Sequence, residues 1–153
     1  MKNKFLPITI TIASILVTAL LGSIFVYIGM PWYMTLSRPS AFVPNILIPI
    51  VWTIIYIMFA IILSVMIDSS LLDYKSVILL ILSALLNILW CLTFFTLQST
   101  LVGLVVILLN LVLGILLIKH LFTRNRLYGI LLSIYPFWLC IATSLNLALW
   151  ILN

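Results

Sequence analysis

The sequence predicts an all-α protein, an integral membrane bundle of five transmembrane helices, and three observations carry that prediction. Charged residues make up 6% of the 153-residue chain against 67% hydrophobic, with mean hydropathy +1.47. So few solvated groups cannot cover a water-facing surface. The apolar residues gather in five runs, 6–28, 45–67, 76–97, 101–121 and 128–152, each near the 20 or so residues that a helix needs to cross the hydrocarbon core. The runs are continuous rather than alternating, which argues against a β-barrel. They consume most of the chain, so a single domain over residues 1–153 is expected.

The first run follows Lys2 and Lys4 and has small residues at Ala19 and Gly22. It is too long for a signal-peptide core, and no soluble mature protein follows it, so it is expected to be a retained helix. The connection over residues 29–44 holds Pro31, Pro39 and Pro44, which predict an interruption of helix throughout. Trp32 and Tyr33 within it are residue types that anchor at the membrane interface, and the length of the connection suits a lid over a cavity. Pro49 lies near the start of the second span and Pro136 inside the fifth, each able to kink its helix. The remaining connections, 68–75, 98–100 and 123–126, are short, which predicts antiparallel packing between successive helices. No internal repeat is visible, so an inverted-repeat transporter lacks support.

Charge placement orients the bundle. Lys2 and Lys4, then Asp68, Asp73 and Lys75, then Lys119, Arg124 and Arg126 fall on one side of a five-span chain, whereas Arg38 stands on the other. Basic residues favour the cytoplasm, so the N-terminus is expected inside and the C-terminus outside. The pI near 9.5 follows from this arrangement. No dense basic patch supports a nucleic-acid partner. Cys91 and Cys140 lie in different spans, where small apolar packing is their ordinary role.

Within the spans, Ser14, Thr18 and Gly22 form a small-residue stripe, and Gly103, Asn110 and Gly114 form another. Either allows close helix approach inside a protomer or between two. Trp52, Tyr56 and Phe59 share a face of the second span, and Ser83, Asn87, Trp90 and Phe94 a face of the third. Trp138, Ala142, Leu145 and Leu149 share one on the fifth, with Asn146 beside it. Trp90 and Trp150 could equally anchor at headgroups. Asn87, Asn110 and Asn146 each need a partner in hydrocarbon, either another helix or a ligand atom. Together these faces suit a pocket for a flat apolar ligand. No charged residue lies deep in any span, which counts against ion-coupled transport. The one histidine, His120, has no Cys or His at a metal-ligand spacing, so no metal site and no axial haem ligand is expected.

These residues resemble the TspO/MBR family, the tryptophan-rich sensory proteins related to mitochondrial translocator protein. Trp32-Tyr33-x-x-Leu36-x-Arg38-Pro39 is similar to the family's W-Y-x-x-L-x-K-P. Trp52-x-x-x-Tyr56, Asn87-x-x-Trp90-x-x-x-Phe94-Phe95 and Trp138-x-x-x-Ala142-Thr143-x-Leu145-Asn146 match its motifs in the second, third and fifth spans. The four stand in order along essentially the whole chain. Departures are Ala41, Val43 and Pro44, where the family often has a tryptophan and two prolines, and Pro136, displaced by two residues. The chain also ends Leu-Trp-Ile-Leu-Asn153, without the Tyr-then-Arg cholesterol-recognition stretch of animal members, which points to a bacterial plasma-membrane protein.

The resemblance implies a homodimer that binds protoporphyrin IX and aromatic drug-like ligands of the isoquinoline carboxamide type, with nothing covalently bound. It assigns ligand contact to Trp32, Tyr33, Arg38, Pro39, Trp52, Tyr56, Asn87, Trp90, Phe94, Trp138, Ala142 and Asn146. It further implies a light- and oxygen-dependent degradation of porphyrin in which Trp52 and Trp138 pass electrons. A non-enzymatic stress sensor, or a porphyrin or lipid carrier, would use the same pocket.

Overall fold

A computed structural model describes residues 5–39 and 43–153. Helices α1 (Phe5–Thr35), α2 (Leu47–Asp68), α3 (Tyr74–Cys91), α4 (Thr100–Arg124), α5 (Arg126–Leu132) and α6 (Ile134–Leu152) form five spans, because α5 and α6 together cross once. All five are long and apolar enough to traverse a bilayer, and large apolar side chains such as Leu20, Ile61 and Leu109 remain exposed on their outer faces. Those faces are what a helix bundle presents to lipid.

The helices close into a ring in the order α1, α3, α4, α5–α6, α2, with α2 returning to α1. The expected pairing of successive helices therefore fails once. Among the described residues the backbones of α2 and α3 nowhere come within 8 Å, although only residues 69–73 join them. The turn permits the separation, because Ser70 adopts a left-handed φ of 56° and Asp73 starts α3 afresh. Its carboxylate caps the helix, accepting from the Ser76 amide (3.0 Å) and hydroxyl (2.6 Å).

The interruption expected from Pro31 is also overturned. α1 runs through that proline to Thr35, so Trp32 and Tyr33 are helical. Pro31 cannot donate to the carbonyl four residues back, but tertiary contact holds the helix on both sides of it. Gly29 lies directly against the Phe95 backbone, and the Thr96 hydroxyl donates to the Phe25 carbonyl at 3.1 Å. Thr96 reaches that carbonyl from a π-helical turn, Leu92–Thr96, that ends the third span. The wide turn lets the consecutive Phe94 and Phe95 both be buried.

Proline position explains the fifth span. Pro136 cannot donate to the Leu132 carbonyl, and the helix breaks at Ser133 rather than bending at Pro136 itself. Both Pro136 and Pro49 end up in the first turn of a helix, where a missing N–H is tolerated.

The glycines of both small-residue stripes turn inward, although Ser14 of the first stripe is exposed. Gly103 packs on Phe94 and Asn146, Gly114 on Tyr135 and Leu139, and Gly22 on Cys91 Sγ. The three glycines are spent on packing within the protomer. Cys91 is buried, Cys140 exposed, and both are free.

At the basic end of the bundle Asp73 has a second role. His120 Nε2 on α4 lies 3.0 Å from both of its carboxylate oxygens, and Arg124 Nε donates to the Leu71 carbonyl at 3.1 Å. The Ser76 bonds first, and His120 second, hold the Asp73 carboxyl well below the usual carboxylate range. A depressed folded-state value contributes stability that is complete above the unfolded value near 4 and fades as pH falls below it. Asp73→Ala is therefore expected to cost about 1 kcal/mol, as loss of an N-cap does. The difference should be present at neutral pH and decline in denaturation midpoints as pH falls below about 4. A penalty unchanged at about pH 3 would show that the carboxylate is not the acting group.

Candidate functional site

The aromatic faces meet in the half of the bundle next to the α1–α2 connection. Phe94 is the hub: its ring centroid lies 4.8 Å from Phe95, 5.7 Å from Trp32, 5.9 Å from Trp90 and 6.2 Å from Tyr33. Trp90 continues to Trp52 at 6.4 Å, and Trp52 to Tyr56 at 5.8 Å. Offset and edge-to-face contacts of this kind add about 0.5–1.5 kcal/mol each beyond area burial.

These rings and the inner face of α6 enclose a cavity of about 40 Å³, lined by Tyr33, Trp52, Trp90, Phe94, Trp138, Ala142 and Asn146 together with Ile48, Phe95, Leu145 and Leu149. Seven of the twelve residues assigned from sequence thus converge. Trp32 supports the wall through Phe94. Arg38 sits at the mouth, its guanidinium 4.6 Å from the Tyr33 ring centroid and donating to the Tyr33 carbonyl (3.0 Å) and Asn45 Oδ1 (3.3 Å). Pro39 is half-buried in the connection, and Ala41 lies outside the described residues. Tyr56 and Asn87 line a different, larger cavity of about 240 Å³ toward the basic end.

The asparagines tie helices together. Asn146 accepts from Trp90 Nε1 at 3.0 Å and donates to the Thr100 carbonyl at 2.8 Å, joining α6, α3 and α4. Asn110 accepts from the Tyr135 hydroxyl at 3.0 Å, and Asn87 Nδ2 donates to the Tyr56 hydroxyl at 2.8 Å. Trp90 is accordingly a buried, bonded wall residue rather than a headgroup anchor, whereas Trp150 is 42% exposed.

One donor in the small cavity is unmatched. Trp138 is 6% exposed, and its buried indole Nε1 has no hydrogen-bond partner. An orphaned buried N–H carries a desolvation cost of about 1–3 kcal/mol, and an acceptor on a bound molecule would relieve it. The sequence model of the TspO/MBR family matches residues 10–151.

The chain belongs to the TspO/MBR family. It is similar to the tryptophan-rich protein TspO of Archaeoglobus fulgidus, 30% identical over 98% of this chain and 99% of the relative. It is likewise similar to the tryptophan-rich protein TspO of Chlorobaculum tepidum, 31% identical over 100% of this chain and 99% of the relative.

For this TspO/MBR chain the structure adds partners that helical faces did not reveal. Ile48 joins the cavity wall from the first turn of α2. Asn153 clasps the α1–α2 connection: its Oδ1 accepts from the Ser37 amide at 2.9 Å and its Nδ2 donates to the Ser37 carbonyl at 3.1 Å. The clasp joins residues 116 apart in sequence, and no local pattern signals it.

Proposed function

We propose that this TspO/MBR chain is a tetrapyrrole-binding membrane protein whose ligand sits in the aromatic cavity between α2, α3 and α6. The observation that carries the reading is the unpartnered Trp138 N–H in a cage of stackable rings. A porphyrin or an isoquinoline carboxamide offers flat π surface to the rings and an acceptor to the indole. A metal-free porphyrin such as protoporphyrin IX needs no axial ligand, which matches a lining without Cys, His or carboxylate. Ligand pockets for molecules of this size run to roughly 300 Å³ or more, so the rings must part on binding. The ring–ring contacts seen here are then exchanged for ring–ligand contacts. Arg38 at the mouth suits a propionate, and the Asn153-clasped connection acts as the lid.

Under light, dioxygen is the oxidant: the bound ring gives up electrons to it and is oxidised in place, with Trp52 or Trp138 passing the electrons on. The protein works as a homodimer in the plasma membrane, with the basic end cytoplasmic.

The test is a titration with protoporphyrin IX, in the dark and then illuminated, on the parent protein and on Trp52→Phe/Trp138→Phe. Saturable tryptophan quenching followed by loss of the porphyrin bands, in the parent alone, is the expected result. Stable bands after saturable quenching would replace degradation by a sensor or carrier role. An absence of saturable quenching would remove tetrapyrroles altogether.

A further inference from the structure

The larger cavity, about 240 Å³, lies on the opposite side of the Trp52–Trp90 layer, between the N-terminal half of α1, α2 and the start of α3. It occupies the gap left because α2 and α3 stay apart. Its walls are mainly apolar side chains such as Ile15, Ile55, Phe59 and Leu80, and among the described residues no charged one lines it. Ile10, Val77 and Ile81 belong both to its wall and to the exposed apolar surface, so the space communicates with the face that lipid covers.

Hydroxyls of Thr11, Ser14, Thr18, Tyr56, Ser83 and Tyr135 also line it, and Asn87 is its one amide. Asn87 is 5% exposed, its Nδ2 is committed to Tyr56, and its buried Oδ1 has no partner. In hydrocarbon an unmatched amide oxygen is costly. The wall therefore offers an unmatched amide oxygen, with the buried Ser83 hydroxyl on the same wall, in an apolar space with a bilayer-facing rim.

We propose that this cavity is a second binding site, for an uncharged, single-chain lipid-type amphiphile that carries a hydroxyl donor and arrives sideways from the bilayer. The hydroxyl donates to Asn87 Oδ1, and the chain lies along α1 and α3 toward Ile10 and Ile81. A charged headgroup is disfavoured, because the wall formed by the described residues holds no counter-charge and desolvation would be uncompensated. The two sites lie on opposite sides of the Trp52–Trp90 layer, so occupancy of each is read separately.

The experiment uses the full chain in detergent micelles and a photoreactive C14 alcohol with a diazirine on its chain, alongside its O-methyl ether. Labelled peptides are mapped by mass spectrometry. Saturable labelling of the α1 and α3 segments that line the cavity is expected, with the alcohol about tenfold more effective than the ether. Asn87→Leu should bring the alcohol down to the level of the ether. Ala84→Phe, which fills the cavity from α3, should remove saturable labelling by both while leaving porphyrin quenching as in the parent. If Ala84→Phe fails to fold by that quenching test, Ile81→Phe at the exposed rim replaces it and should weaken labelling. Equal labelling by alcohol and ether in the parent would overturn the proposal, as would labelling that survives cavity filling. Labelling spread evenly over all five spans would show ordinary solvation by the probe and overturn it as well.

Discussion

Gly29→Ala is expected to lower the stability of the bundle by about 3 kcal/mol, while Gly22→Ala on the same helix leaves it unchanged or raises it by up to about 1 kcal/mol. The difference lies in what a Cβ would meet. At position 29 it would fall within 2.7 Å of Phe95 Cα and closer still to the Phe95 carbonyl, so backbone would have to move. At position 22 it would stand 3.4 Å from Cys91 Sγ, an ordinary contact. Pushing α1 from the π turn would also break the Thr96 bond to Phe25 and disturb Tyr33, which packs 5.3 Å from Phe95. Denaturation midpoints in a fixed detergent would check the pair. Equal effects at the two glycines would mean that the Gly29 approach is not close in solution.

Trp138→Phe should raise stability by about 1 kcal/mol or more while weakening protoporphyrin IX binding by about tenfold. Phenylalanine removes an unmatched buried N–H and keeps most of the ring. In the free protein that donor is a liability; in a complex it finds an acceptor. Opposite signs in the two measurements are therefore the signature of a donor held for a ligand. Trp90→Phe provides the contrast, because its N–H is already bonded to Asn146. That variant should lose stability. Should Trp138→Phe lower stability without altering quenching by porphyrin, the indole would be a packing residue only.

Much of this was legible in the sequence because hydrocarbon imposes strict rules. Five apolar runs became five spans, and the faces carrying Trp52, Trp90 and Trp138 met, since helical phase survives folding. Asn110 and Asn146 announced themselves as polar groups that need partners. Local rules failed where a distant contact outweighed them. Pro31 did not end α1, because Gly29 and Phe25 are held by the third span. Asn87 shares a helical face with Trp90, yet the two line different cavities, a distinction of depth rather than phase. The Asp73–His120 pair and the Asn153 clasp join residues 47 and 116 apart, beyond any periodicity.

The separation of α2 from α3 also bears on biosynthesis. Chains emerge N-terminus first, and α2 packs its backbone against α1 and the last span, meeting α3 through side chains such as Tyr56–Asn87 and Trp52–Trp90. α2 therefore lacks part of its packing until the final 27-residue crossing, Arg126–Leu152, has been inserted. Until then the nascent chain is an open arc of four helices with one loose flank, which lipid or the insertion machinery must cover. Truncations within the last crossing should therefore yield an arc open to degradation rather than a smaller stable bundle, because the ring closes only with its last member.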